Sequence, residues 1–332
     1  MKALVYTGDA SNPVQIIEKE VPTPGFGQVL IKLSAAALNH RDQWIRVGKY
    51  PGMQPNVTLG SDGCGVVDSV GDAVDQSWVG KTVIINPNIG WGPDPKAQSP
   101  DYTILGMPAD GTFAEYVAVG QDRIHLKPDH LSIEEAAALP LGGLTAFRAC
   151  FTQGQINPES TVLVTGVGGG VALFALQYGV ATGAKVYVSS SSQEKIDNAM
   201  ERGALGGFNY REEDWTKQAI KASGGFDVII DSAGGDAHNN YLKVIKPGGS
   251  IVFFGSTLGP PKSLDVFRIF WQQVRLQGTT MGNDREFAEM IGFVGKNQIK
   301  PAVSSVRPFD EIISAMDEME AGSQMGKLVV KF

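Results

Sequence analysis

Thr161-Val-Leu-Val-Thr-Gly-Val-Gly-Gly-Gly-Val-Ala172 decides how this 332-residue chain is read. An apolar run, Val162 to Val164, stops at Gly166, Gly168, Gly169 and Gly170, and an amphipathic run follows at once. Val171, Phe174, Ala175 and Tyr178 fall at i, i+3, i+4 and i+7, one face of a helix. Strand, glycine turn and helix make the first half of a dinucleotide-binding unit. Such a turn lets the backbone approach a pyrophosphate, and the helix N-terminus supplies free N–H groups and the positive end of a dipole. The spacing is Gly166-x-x-Gly169-x-x-Ala172 rather than the common G-x-G-x-x-G, so context must carry the motif. Lys185-Val-Tyr-Val188 supplies it, at the distance expected for the next strand of a βαβ unit.

Working outward, the alternation continues. Helices are predicted over 193–202, 214–222 and 236–245, and strands near Phe208, over 226–230 and over 250–254, with Leu276–Met281 as the last strand. Ser132-x-x-Glu135 is a capping box that opens this half. Upstream, the short runs Ala3–Tyr6, Val29–Leu33, Cys64–Val67, Thr82–Ile85 and Phe113–Val119 are separated by Gly, Pro, Asn and Asp, as in a compact barrel-like domain. A helix at about 309–321 and the strand Lys327–Phe332 are too little for a third domain and are expected to return to the first. The fold class expected is α/β: a doubly wound parallel Rossmann sheet over 128–281, with a β-rich barrel-like domain formed by 1–127 and 282–332.

Composition narrows the function. The net charge is −7 and no basic block occurs, which argues against a nucleic-acid footprint or an anionic membrane surface. The most apolar stretch, Ala136–Phe147, is about 12 residues with Pro140 inside it, too short to span a bilayer. Two cysteines, Cys64 and Cys150, read as thiols in a reducing compartment, and Met1–Asp9 carries no apolar leader, so a cytoplasmic protein is expected.

Five further stretches, Asn39–Arg46, Leu59–Val67, Asp110–Val117, Leu141–Phe147 and Asn209–Asp214, together with the domain order, resemble the medium-chain dehydrogenase/reductase superfamily over essentially the whole chain. The resemblance is nearest to its zinc-independent quinone oxidoreductase branch. It implies a GroES-like catalytic domain, a nicotinamide cofactor, a small-molecule substrate and a homodimer. In zinc-dependent relatives a Cys and a His hold the catalytic metal at the positions of Asn39 and Ser61. Neither side chain present here is a good zinc ligand, and the loop Asn88–Gly106, where those relatives carry four cysteines, has none. No metal is expected.

The second Rossmann strand leads into Ser189-Ser-Ser-Ser192, with no carboxylate to bond a ribose 2′-hydroxyl. The resemblance places Ser190, Lys195 and Tyr210 around a 2′-phosphate, so NADPH is the expected cofactor. It also assigns Gly166, Gly168, Gly169, Gly170, Val171, Ser232, Phe254 and Gly255 to the cofactor, and Asn39, Trp44, Tyr50 and Thr145 to the nicotinamide and substrate. His40 and Arg41 depart from the branch's small residues. The expected reaction is hydride transfer to a quinone or α,β-unsaturated carbonyl. A zinc-type alcohol dehydrogenase and a non-catalytic NADPH-binding protein remain alternatives. Leu276–Met281, without Pro or charge, is the expected seam of the dimer.

Overall fold

The structure is a computed structural model that describes Met1–Phe332. The chain divides into two compact units, Met1–Gly142 with Gly282–Phe332, and Gly143–Met281. The first unit runs β1 (Lys2–Tyr6), β2 (Val14–Glu18), β3 (Gln28–Ala37), α1 (His40–Arg46), β4 (Val57–Thr58), β5 (Asp62–Val70) and β6 (Thr82–Ile85). Then come β7 (Asn88–Ile89), β8 (Thr103–Ile104), β9 (Tyr116–Gly120), β10 (Ile124–Leu126) and α2 (Ile133–Ala138), which packs on β3 and β5. After α3 (Pro140–Phe147), the second unit holds β11 (Thr161–Val164), α4 (Gly170–Thr182), β12 (Lys185–Ser190), α5 (Gln193–Glu201), β13 (Gly206–Asn209) and α6 (Trp215–Ser223). It ends with β14 (Phe226–Asp231), α7 (Ala237–Val244), β15 (Ile245–Phe253), α8 (Val266–Trp271) and β16 (Arg275–Gly278). The chain returns to the first unit through α9 (Asp284–Lys296), β17 (Val303–Pro308), α10 (Ile312–Ala321) and β18 (Lys327–Lys331).

In the first unit the main sheet is ordered β10-β6-β5-β3-β18-β17, with β9 also paired to β3. Alternation on β3 turns Val29, Ile31 and Leu33 into one buried cluster with Val67, Val83 and Val117. A second cluster, with Ile45 of α1, Leu59, Phe113, Met316 of α10 and Leu328, seats α1 against the C-terminal return. That packing positions Asn39, the residue before α1.

In the second unit the sheet order is β13-β12-β11-β14-β15-β16, and every pairing is parallel. The order reverses between β11 and β14. In open α/β sheets, ligands bind beyond the strand ends at that switch.

Several elements differ from the sequence reading. β12 extends to Ser190, past the apolar run that ends at Val188, because Ser189 and Ser190 pair with Phe208 and Asn209 of β13; both serines are buried at the strand end. β16 stops at Gly278, and Met281 turns the chain at φ 41°. β9 starts at Tyr116 rather than Phe113, whose N–H bonds Leu59 O at 2.8 Å while its carbonyl accepts from Leu4 N–H at 2.8 Å. β2, α8 and α9 were not expected. The aromatic residues of 257–271 do not turn inward over the sheet edge: Phe267, Phe270 and Trp271 of α8 are 66%, 60% and 73% exposed.

Candidate active site

Asn39 caps α1, with its own N–H held at 2.8 Å by the Asp42 carboxylate in a capping box. Its amide is fixed at both ends. Lys327 Nζ donates to Asn39 Oδ1 at 2.5 Å, and Asn39 Nδ2 donates to Asp62 Oδ2 at 2.9 Å. Lys327 closes the triangle on the same Asp62 oxygen at 2.9 Å. An ammonium can only face the amide oxygen and a carboxylate only its nitrogen, so the amide orientation is determined. The second Nδ2 hydrogen is left to meet an acceptor. The other Asp62 oxygen takes the Leu141 N–H at 2.7 Å. Asp62 is fully buried and Lys327 nearly so.

Ser61 has a different cation. Arg41 donates from Nη1 to Ser61 Oγ at 2.6 Å and to Leu105 O at 2.8 Å, and from Nη2 to Met107 O at 3.3 Å. Its Nε donates to the Tyr50 hydroxyl at 3.2 Å, and the guanidinium lies 4.8 Å from the Tyr50 ring centroid. Tyr50 thus accepts from Arg41 and keeps its own hydrogen for another partner. Trp44, half-buried, has the Lys49 ammonium 6.0 Å from its ring centroid.

Asp42 carries a pH dependence. Burial pushes its carboxyl up to about 6, against the pull of Arg41 and of the Asn39 N–H, and one of its oxygens has no hydrogen-bond partner. A folded-state value above the unfolded one means that folding takes up a proton between about pH 4 and 6. The stability this lends is complete below about pH 4 and lost as pH rises through 6. Asp42→Asn keeps an acceptor for Asn39 and removes the charge. It should stabilise the protein more at pH 7.5 than at pH 4.5, by on the order of 2–3 kcal/mol. Urea unfolding at the two pH values measures this; an equal effect at both would contradict it.

In the second unit the glycine turn follows β11. Gly166 at φ 61° and Gly168 at φ 142° occupy backbone conformations that side chains resist. Gly169 is the N-cap of α4, Gly170 its first residue, and Val171 follows in its first turn. A Cβ on Gly168 would lie 2.8 Å from Lys195 Cδ and 3.1 Å from its Nζ, so the lysine lies along the turn. Lys195 stands in the first turn of α5, whose N-cap Ser192 accepts its N–H at 3.3 Å. Its ammonium is held below the ordinary lysine value, chiefly by desolvation. Tyr210 joins this group, its N–H bonded to Ser190 O at 3.2 Å. Ser190 Oγ accepts the Ser192 N–H at 3.2 Å and keeps its hydrogen to donate.

Ser232, Phe254 and Gly255 also come together with the turn. A Cβ on Gly166 would lie 3.7 Å from Ser232 Oγ, and one on Gly255 would lie 2.9 Å from Ser232 O. Phe254 N–H bonds Asp231 O at 3.0 Å. Thr145 is buried, with its hydroxyl 3.7 Å from the Met281 sulfur. Two charged groups escaped the sequence reading as site residues. One is Lys327, far from Asn39 in sequence. The other is Asp231, a buried carboxylate that takes Thr165 Oγ1 at 2.5 Å, Gly234 N–H at 2.8 Å and Tyr241 OH at 2.9 Å and so braces the switch point.

Residues 25–129 match the family model described as alcohol dehydrogenase GroES-like domain, and residues 170–296 the one described as zinc-binding dehydrogenase. The zinc-type alcohol dehydrogenase-like protein YogA of Leptosphaeria maculans is 40% identical over 98% of this chain and 96% of its own. The chain belongs to the medium-chain dehydrogenase/reductase superfamily. A crotonyl-CoA carboxylase/reductase of Cereibacter sphaeroides is 28% identical over 94% of this chain and 82% of its own. A crystal structure of an NAD-dependent alcohol dehydrogenase superposes with a TM-score of 0.94 at 33% identity, over all of both chains. The protein is an oxidoreductase of this superfamily, with its nicotinamide cofactor, GroES-like domain and Rossmann-type sheet.

The zinc in the relatives' names does not fit the residues present. Asn39 Oδ1 holds an ammonium, and Ser61 Oγ is bonded to a guanidinium and donates to Leu105 O at 2.8 Å. Nowhere do three His, Cys, Asp or Glu side chains gather as a ligand set. A divalent cation at these positions would meet two protein cations and no thiolate or imidazole.

Proposed function

We propose that this superfamily member is a zinc-independent, NADPH-dependent reductase of quinones or α,β-unsaturated carbonyls. The observation that carries the reading is the pair of resident cations, Lys327 on Asn39 and Arg41 on Ser61, standing where zinc-dependent relatives place metal ligands. Without a Lewis acid, a simple ketone is hard to reduce. A conjugated acceptor places the new charge on an enolate or hydroquinone oxygen, which a few hydrogen-bond donors stabilise.

When bound, NADPH would supply a hydride to the conjugated acceptor; the electron pair would move to the acceptor's oxygen, and a proton from water would complete the reduced product, on the α-carbon of an enone or on the oxygen of a quinone. Asn39 offers its free Nδ2 hydrogen, and Tyr50 its hydroxyl hydrogen, to a carbonyl oxygen of substrate or cofactor. Trp44 gives a flat wall for a conjugated substrate, and Thr145 orients the nicotinamide. Lys195, Ser190 and Tyr210 hold the 2′-phosphate, and the turn from Gly166 to Val171 the pyrophosphate. Ser232, Phe254 and Gly255 line the strand ends beside it. A steady-state screen of quinones, enals and enoyl thioesters with NADPH, run beside simple alcohols with NADP⁺, tests the reading. The second reading, an NAD-dependent alcohol dehydrogenase, is favoured by the name of the superposed structure, but β12 here ends without a ribose-binding carboxylate.

A homodimer through β16 belongs to the same proposal. β16 is the last strand of its sheet, and α8, with its exposed aromatic residues, closely precedes it in sequence. Thr279 N–H is spent inward on Phe253 O at 3.0 Å, so strand alternation turns the N–H groups of Leu276 and Gly278 to the open edge. Leu276→Pro removes one of them. Light scattering should give twice the chain mass for the wild type and the single-chain mass for this variant. A monomeric wild type refutes the dimer, and a dimeric variant refutes this seam.

A further inference from the structure

Arg41 is buried, and every oxygen within hydrogen-bond distance of it is neutral: Ser61 Oγ, the carbonyls of Ile104, Leu105 and Met107, and the Tyr50 hydroxyl. No carboxylate is hydrogen-bonded to this guanidinium; it acts on Asp42, the next residue, only through space, pulling that carboxyl down against burial. Of the two side chains bonded to Arg41, Ser61 spends its hydrogen on Leu105 O, whereas Tyr50 accepts from Nε and has a hydrogen left to give. A second tyrosine hydroxyl is buried without a partner. Tyr102 Oη is buried and unbonded, and Tyr50 and Arg41 both bear on its ionisation, behind the larger effect of burial. The Arg41 guanidinium and a Tyr50 hydroxyl with a hydrogen to give make a donor pair that lacks an anionic acceptor.

We infer that Arg41 is a positioning residue for the reduction proposed above, holding and polarising the Tyr50 hydroxyl so that it stabilises the oxyanion of the substrate. The inference rests on the enone-reductase reading for its substrate, an enolate or hydroquinone anion. It assigns to a protein cation the electrostatic part that zinc plays in relatives. Arg41 bonds Tyr50, and Tyr50 is given the contact with the oxyanion. The chemistry is the hydride addition already written, with the electron pair arriving on the oxygen that Tyr50 faces.

The test is binding of a redox-inert oxyanion to the free protein, so it survives failure of every enone as a substrate. 4-Nitrophenolate, followed by its absorbance, mimics the enolate oxygen; 4-nitrotoluene is the uncharged control. The wild type should prefer the phenolate by about 10–100-fold, the range of hydrogen bonds to charged groups. Tyr50→Phe and Arg41→Gln should each remove most of that preference, and the double variant should lose no more than either single one. Losses that multiply in the double variant would show Arg41 acting independently of Tyr50 and overturn the inference; so would a wild type without phenolate preference. Should Arg41→Gln not fold, Arg41→Lys keeps the charge. Retained preference there with loss in Tyr50→Phe supports the inference, and an unchanged preference in Tyr50→Phe overturns it.

Discussion

Asp62→Ala is expected to destabilise the protein by about 3–5 kcal/mol, the cost of leaving one partner of a buried ion pair without the other. Asp62 is fully buried, and its two oxygens serve three donors: the Lys327 ammonium, the Asn39 amide and the Leu141 N–H. Its removal strands the ammonium against Asn39 Oδ1 alone. Lys327→Met should cost a similar amount by stranding the carboxylate. The double variant Asp62→Ala/Lys327→Met should cost less than the sum, because neither charge is then left uncompensated. Urea unfolding of the four proteins measures this. Additive losses would mean that the pair is not coupled as its 2.9 Å contact implies.

Lys195→Ala is expected to weaken NADPH by about 10–100-fold while changing NADH by much less, since only NADPH carries the 2′-phosphate. The lysine stands against Gly168 in the first turn of α5, the Ser190 hydroxyl has a hydrogen to donate, and no carboxylate opposes them at the end of β12. Fluorescence titration of both cofactors on wild type and variant reads the effect. A wild type that binds the two equally, or a variant that weakens both alike, would remove NADPH selectivity from the account.

These two expectations differ in how far the sequence alone leads to them. The glycine turn was legible because Gly166 and Gly168 adopt conformations other residues avoid, and because apolar period changes sharply around them. Lys195 and Tyr210 were legible through family resemblance, and both stand near Ser190, by sequence and by pairing of β12 with β13. The apolar run marks β12 only to Val188, because the hydroxyls of Ser189 and Ser190 give no apolar signal, although the ladder to β13 extends the strand over both and buries them. α9 had a readable start that went unused: Asn283 and Glu286 form a capping box ahead of Phe287, Met290 and Val294. Asn39 and Ser61 were singled out as the wrong residues for zinc, but what holds them was invisible. Lys327 reaches Asn39 only because β18 pairs antiparallel with β3, a contact no local pattern encodes. Arg41 stood out only as a departure from small residues. Its bond to Tyr50 required the fold of the segment between them.

The central claim, metal-free reduction of a conjugated acceptor, is tested most directly by one rate. Protein dialysed against a strong chelator, with its metal content measured, is assayed for NADPH oxidation with the best acceptor from the enone and quinone screen. Turnover equal to that of untreated protein, at well below one zinc per chain, is the result the resident cations Lys327 and Arg41 predict. Activity lost on chelation and restored by stoichiometric zinc would contradict it.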